Sequence, residues 1–216
     1  MTCTEQTMRL YAVTDRAWTG RQTLAQQVEA ALRGGATCVQ LREKHLDETD
    51  LLAEARQIGQ LCRHYGVPFL LNDNVPLALR CGADGVHVGQ GDMNAAEVRR
   101  LAGPGFIVGV SAHNVAEARQ AVADGASYLG VGAAFATSTK TDARPLSRET
   151  LRDICAAVEL PVVALGGITR ANLLELSGCG VDGVALVSAI FAAQDIEAEC
   201  RALRALSEQM VQGSVR

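Results

Sequence analysis

A steady beat of short apolar runs, each followed by a longer amphipathic segment, constrains this chain more than any single motif does. The runs fall at residues 10–14, 38–41, 69–71, 85–88, 106–110, 128–131, 162–165 and 184–187. Helical periodicity occupies 24–33, 51–64, 95–101, 115–123 and 148–158, with a long last segment at 196–210. Short continuous apolar runs suit strands covered on both faces, and helical crossovers between them make neighbouring strands parallel. Eight strand–helix units in 216 residues predict an α/β fold, a single closed (β/α)8 barrel of the TIM type. It would span 9–212, with an N-terminal extension at 1–8. A doubly wound open sheet carries the same periodicity and stands as the alternative.

A weak internal repeat supports the count of units. Gly34-Gly35-Ala36, Gly82-Ala83-Asp84, Gly125-Ala126-Ser127 and Gly180-Val181-Asp182 each separate a helical segment from the next strand. Glycine there supplies a left-handed residue that ends a helix, so these belong to the amino-end floor of the barrel and to structure. No Pro/Ser-rich linker or low-complexity stretch divides the chain.

Composition excludes more than it names. The net charge of −4 gives no general attraction to nucleic acid or anionic lipid, so any anion must meet a local cluster of cations. There is no apolar run of membrane-spanning length, and residues 1–6 lack a secretory apolar core. A cytoplasmic protein is expected. The seven cysteines (Cys3, Cys38, Cys62, Cys81, Cys155, Cys179 and Cys200) are scattered without a Cys-x-x-Cys pair. They read as small apolar fillers in a reducing compartment, not as zinc or redox ligands.

In a barrel, chemistry collects at the carboxyl ends of the strands. The second strand runs into Gln40-Leu41-Arg42-Glu43-Lys44. At period two Gln40, Arg42 and Lys44 share a face suited to an anion, while Leu41 and Glu43 point away, Glu43 toward a structural role. Ordinary solvated charges at a strand end would look the same. Polar residues end the other strands too: Asn72-Asp73-Asn74, Gly89-Gln90-Gly91-Asp92, Ser111 with His113, Thr137-Ser138-Thr139-Lys140, Gly166-Gly167 and Ser188. The last two match the common barrel phosphate site, in which backbone amides and a helix start receive an anion. The Thr137–Lys140 stretch has the composition of a lid over phosphate or of a plain solvated loop.

Asp73 and Asp92 come from adjacent strand ends and could share one metal. Hard oxygens without a His or Cys cluster favour Mg²⁺ over zinc, completed by substrate phosphates. Alternatively, Asp73 opens a turn and Asp92 caps the helix that starts near Asn94. Of the histidines, His87 reads as a packed core residue within an apolar strand, and His45 and His64 as surface positions. Only His113 is placed to reach a site.

Taken in order, these pieces resemble the thiamine-phosphate synthase family from about residue 10 to 195. The resemblance rests on Tyr11-Ala12-Val13-Thr14-Asp15, Gln40 to Lys44, Asn72-Asp73 and Gly85-Val86-His87-Val88-Gly89-Gln90-Gly91-Asp92. Ser111-Ala112-His113, Thr137 to Lys140, Gly166-Gly167-Ile168 and Val187-Ser188-Ala189-Ile190 continue it. It implies transfer of an aminopyrimidine-methyl group from its diphosphate to a thiazole phosphate, giving thiamine phosphate and pyrophosphate. By that resemblance Gln40, Arg42, Lys44, Asn72, Ser111 and Lys140 hold the pyrimidine diphosphate, with Leu41 and Glu43 counted in the same run. Thr137, Ser138, Thr139, Gly167, Val187 and Ser188 hold the thiazole phosphate. Asp73 and Asp92 bind Mg²⁺, and Arg42, Lys44, Ser111 and Lys140 are the expected catalytic set. The expected partners are these two small molecules, with neither nucleic acid nor membrane, and homo-oligomerisation is left open. Ala133 and Ala136 stand where the family usually has prolines, and Asn74 and Pro76 where acidic residues are common. A thiazole tautomerase using His113, or a non-catalytic binder of thiamine precursors, is the alternative function.

Overall fold

The computed structural model describes residues 2–20, 22–137 and 145–213. Eight parallel strands close into a barrel: β1 (Leu10–Val13), β2 (Cys38–Leu41), β3 (Phe69–Asn72), β4 (Gly85–Val88), β5 (Ile107–Ala112), β6 (Tyr128–Gly132), β7 (Val162–Leu165) and β8 (Gly183–Leu186). Closure is made by β8 pairing with β1, Tyr11 beside Ala185, which rules out the open sheet.

Around the barrel run α1 (Leu24–Arg33), α2 (Glu48–Tyr65), α3 (Val75–Cys81), α4 (Ala95–Ala102), α5 (Val115–Ala123), α6 (Arg148–Ala156), α7 (Ser188–Phe191) and α8 (Ile196–Gln212). The longer helices start on side-chain caps: Thr23, Asp47, Asn74, Asn94, Asn114, Ser147 and Asp195 each accept a backbone N–H three residues on. Helix α3 is absent from the periodicity because Asn74 and Pro76 read as loop residues. In the structure Asn74 is the cap and the proline sits in the first turn, where its missing N–H costs nothing. Between β7 and β8 the expected full helix is reduced to a 3-10 turn, Leu173–Leu176.

Strand alternation sorts side chains into two cores. Leu10, Ala12, Val39, Leu41, Val86, Val88, Leu129 and Val131 face outward into the layer shared with the helices. Tyr11, Val13, Cys38, Leu70, Ile107, Tyr128, Val163 and Ala185 fill the barrel, together with Met8 from the segment before β1. Met8 is fully buried, so the residue two positions before β1 packs into the barrel core. Six of the cysteines are buried, and none of the seven forms a disulfide. Burial pushes the Cys62 and Cys200 thiols up to about 12.

The internal repeat has a physical counterpart. Gly35, Gly82, Gly125 and Gly180 all take positive φ. Two residues after each comes Thr37, Asp84, Ser127 or Asp182, immediately before an even-numbered strand. Each binds the preceding odd strand twice. Thr37, Asp84, Ser127 and Asp182 donate their N–H to the carbonyls of Leu10, Phe69, Val108 and Val162 at 2.7–2.8 Å. Their side-chain oxygens accept the N–H of the same four residues at 2.8–3.1 Å. The barrel is therefore four clamped strand pairs.

Candidate active site

A pocket lies at the carboxyl ends of the strands. Its floor is Tyr11 and Val13, and its wall takes Gln40, Arg42, Asn72, His87, Ser111 and His113 from β2 to β5. Gly132, Ala133 and Thr137 after β6, Gly166, Gly167 and Ile168 after β7, and Val187 and Ser188 after β8 complete it. Of the polar strand-end residues, Gln40, Arg42, Asn72, Ser111, His113, Thr137, Gly166, Gly167 and Ser188 line this pocket, whereas Lys44, Asp73 and Asp92 do not.

At the end of β2 the strand stops at Leu41, so the two-residue alternation does not carry through to Lys44. Gln40 is buried inside the barrel, and Arg42 lines the pocket while its N–H donates to Thr14 Oγ1 at 3.0 Å. Leu41 packs into the outer core, away from the pocket. Glu43 turns outward to Arg16, and its other oxygen accepts the N–H groups of Lys44 and His45 at 2.9 and 3.1 Å. Burial raises the Glu43 pKa, but Arg16 and these amides outweigh it and hold the carboxyl below its usual range. Leu41 and Glu43 thus shape the loop instead of lining the pocket. Lys44 is exposed and lies outside the pocket wall.

After β3, Asp73 takes φ 61°, the only non-glycine positive φ among the described residues. Its N–H donates to His87 O at 2.8 Å, and its carboxylate accepts the Asn72 side-chain amide. Aspartate tolerates this conformation, at a cost on the order of 1 kcal/mol, and such strain concentrates at functional sites. After β4, Asp92 is not a helix cap. Asn94 caps α4, while Asp92 Oδ2 accepts the N–H of Gly89 at 2.7 Å. Both carboxylates are exposed on adjacent loops. Among the described residues no cluster of three metal-ligating acids, histidines or cysteines exists. A pair of carboxylates alone fits Mg²⁺, which keeps water and phosphate oxygens in its remaining positions, and does not fit zinc.

His87 is a packed core residue, as its apolar strand suggests, and it also lines the pocket and is hydrogen-bonded there. Val86 and Val88 face the helices, so His87 faces the barrel interior. Its Nδ1 lies 2.8 Å from Tyr128 Oη and its Nε2 2.9 Å from Ser111 Oγ. Counting alternate residues in Gly85-Val86-His87-Val88 is the signal that finds it. His113 stands at the rim, with Nδ1 2.9 Å from Glu117 Oε2.

Across the mouth, Gly166 and Gly167 have φ of 93° and 66°. A Cβ on Gly167 would fall 2.3 Å from the carbonyl oxygen of Ala136, so only glycine lets this loop meet the one after β6. Asn172 Nδ2 braces the Gly167 carbonyl at 3.0 Å. Ser188 opens the short helix α7 beside them. The loop after β6 is tied down at its base: Ala134 N–H donates to Leu165 O at 2.8 Å, Phe135 N–H to Gly166 O at 3.0 Å and Leu146 N–H to Ala133 O at 2.8 Å. Of the two alanines at the loop's start, Ala133 is held by the Leu146 bond. Ser138, Thr139 and Lys140 lie outside the described residues.

A family model described as thiamine monophosphate synthase matches residues 10–190. The chain belongs to the thiamine monophosphate synthase family. A thiamine-phosphate synthase of Chloroflexus aurantiacus is 51% identical over 199 residues, 92% of each chain. One of Moorella thermoacetica is 48% identical over 197 residues, covering 90% of this chain and 93% of that one. Among solved structures, a thiamine phosphate pyrophosphorylase from Pyrococcus furiosus superimposes with a TM-score of 0.88 at 36% identity, over 96% of this chain and 98% of that one. Family membership makes the chain a transferase of thiamine biosynthesis.

Proposed function

We propose that the chain transfers the 4-amino-2-methylpyrimidine-5-methyl group from its diphosphate to the nitrogen of a 4-methyl-5-(2-phosphoethyl)thiazole, carboxylated or not, releasing pyrophosphate. One observation carries the reading: a pocket with an amide, a guanidinium and a hydroxyl on one wall faces a glycine-rich anion loop on the other. Two substrates, each with a phosphate end, fit that division.

In this reading Arg42 and Asn72 receive the diphosphate, with Lys44 and Lys140 arriving from the loops beside them. Gln40 and Ser111 face the pyrimidine. Gly167, Val187 and Ser188, with Thr137, Ser138 and Thr139, hold the thiazole phosphate. Asp73 and Asp92 hold Mg²⁺, which when bound neutralises charge on the departing oxygens. The leaving group departs with its bonding electrons, so the site must stabilise anionic charge more than abstract a proton. The aminopyrimidine ring delocalises the positive charge left on its methylene. The thiazole nitrogen, held in line, then attacks with its lone pair and loses no proton. Alignment supplies part of the barrier reduction, on the order of several kcal/mol. The buried thiols fit a reducing compartment, and a cytoplasmic location goes with this reading; no helix among the described residues is long and apolar enough to cross a membrane.

The deciding assay incubates the protein with both substrates and Mg²⁺ and follows pyrophosphate. Release that requires both substrates and stops on chelation is expected. Isomerisation of a thiazole without pyrophosphate release would replace the reading with a tautomerase.

A further inference from the structure

A chain of hydrogen bonds crosses the barrel interior from β2 to β5. Gln40 Nε2 donates to Tyr11 Oη at 2.6 Å, and Tyr11 Oη lies 2.9 Å from Tyr128 Oη. Tyr128 Oη meets His87 Nδ1 at 2.8 Å, and His87 Nε2 meets Ser111 Oγ at 2.9 Å. Both tyrosines are buried within the barrel, Tyr11 1% and Tyr128 0% exposed, so each hydroxyl hydrogen is shared along this chain of partners. The hydrogens can then be placed by elimination. Tyr11 accepts from Gln40 and must donate to Tyr128. Tyr128 must donate to His87 Nδ1. His87 is therefore neutral with its hydrogen on Nε2, and that hydrogen goes to Ser111 Oγ. The space is built for this arrangement. A Cβ on Gly109 would fall 2.1 Å from Tyr128 Cζ, and one on Gly130 would fall 2.8 Å from His87 Cε1.

We propose that Tyr11 and Tyr128 are positioning residues whose one-way relay through His87 fixes what the pocket offers a heterocycle: an acceptor at Gln40 Oε1 and a donor at the Ser111 hydroxyl. That pattern complements a 4-aminopyrimidine, whose amine donates and whose ring nitrogen accepts. It opposes a 4-oxopyrimidine, in which the two roles are exchanged. A site with fixed polarity rejects the exchanged pattern because its own buried groups would be left unpaired. The specificity part rests on the pyrimidine lying against Gln40 and Ser111, as in the function proposed above; the relay itself does not.

The test uses the full chain, as wild type, Tyr128→Phe and Tyr11→Phe. Long-range ¹H–¹⁵N spectra of the labelled protein report the tautomer of His87, identified by its disappearance in His87→Gln. A single Nε2–H tautomer is expected in the wild type. Tyr128→Phe, which deletes one oxygen and keeps the ring, should give mixed tautomers. Tyr11→Phe should shift the same signals although Tyr11 does not bond His87. In parallel, the kcat/KM ratio of the 4-amino over the 4-oxo pyrimidine diphosphate should fall about tenfold to a hundredfold in Tyr128→Phe, with KM for the thiazole phosphate unchanged. An Nδ1–H tautomer in the wild type, or spectra and selectivity that ignore both tyrosine changes, would overturn the proposal. If the wild type turns over neither pyrimidine, the functional reading fails and the spectra still decide the relay.

Discussion

At the scale of single residues, the Gln40–Lys44 run divides by what each side chain touches. Arg42 lines the pocket and Lys44 stands outside it. Removing a charge-assisted contact to a diphosphate costs about 1.5–3 kcal/mol, roughly tenfold to a hundredfold in rate. Arg42→Ala should therefore lower kcat/KM by that factor in the pyrophosphate assay, and Lys44→Ala by less. Asp92 is exposed, and its carboxylate accepts the Gly89 amide. Asp92→Ala should reduce Mg²⁺-dependent turnover by at least about tenfold while the melting temperature moves by only a few degrees. Equal losses would return Asp92 to a structural role.

Glu43 belongs to the same scale through its titration. Its folded pKa is held below the ordinary carboxylate value, so it stabilises the fold at neutral pH. That contribution disappears as pH falls through the depressed folded value. Half-exposed Arg16 limits it to about 1 kcal/mol. Glu43→Gln should melt about 2–4 °C below wild type at pH 7, and the two should converge as pH falls through the depressed Glu43 value. Glu54, whose pKa is raised by burial against the pull of Arg16, works in the opposite direction and weakens the fold as pH rises.

At the scale of elements, the four clamps between odd and even strands bear on stability and not on chemistry. They sit at the amino ends, across the barrel from the pocket. Asp182 is 4% exposed and binds Val162 through both its backbone and its side chain. Asp182→Ala leaves a buried strand N–H without an acceptor, a loss of about 1–3 kcal/mol. The melting temperature should fall by about 2–4 °C for each of those kcal/mol, with kcat unchanged in the molecules that remain folded. A loss of kcat at constant stability would contradict the division between floor and mouth. The clamps were half legible beforehand. The glycines that precede them stand out because a helix must end before a strand begins. Thr37, Asp84, Ser127 and Asp182 are a threonine, a serine and two aspartates, alike only in the ability to accept a hydrogen bond, and no single-residue repeat reveals that.

At the scale of the whole molecule, closure of the ring sorts what the chain determines locally from what it does not. Strand positions and most helix spans follow from hydrophobic period and capping residues, both set by neighbours in sequence. So do the polar strand ends, because a barrel's chemistry lies where apolar runs stop. Two features depended on distant parts of the chain meeting. Lys44 left the expected clamp because Glu43 is drawn outward by Arg16, and buried His87 acquired polar partners because Ser111 reaches it from β5 and Tyr128 from β6. Tyr11 and Tyr128 are 117 residues apart in sequence, yet their hydroxyls lie 2.9 Å apart. The sequence by itself determined the strands, the helices and the family of loops at the mouth, because those follow from local periodicity and turn chemistry. Only the tertiary structure decided which polar groups share one hydrogen-bond network, because a closed barrel brings together side chains that no local pattern relates.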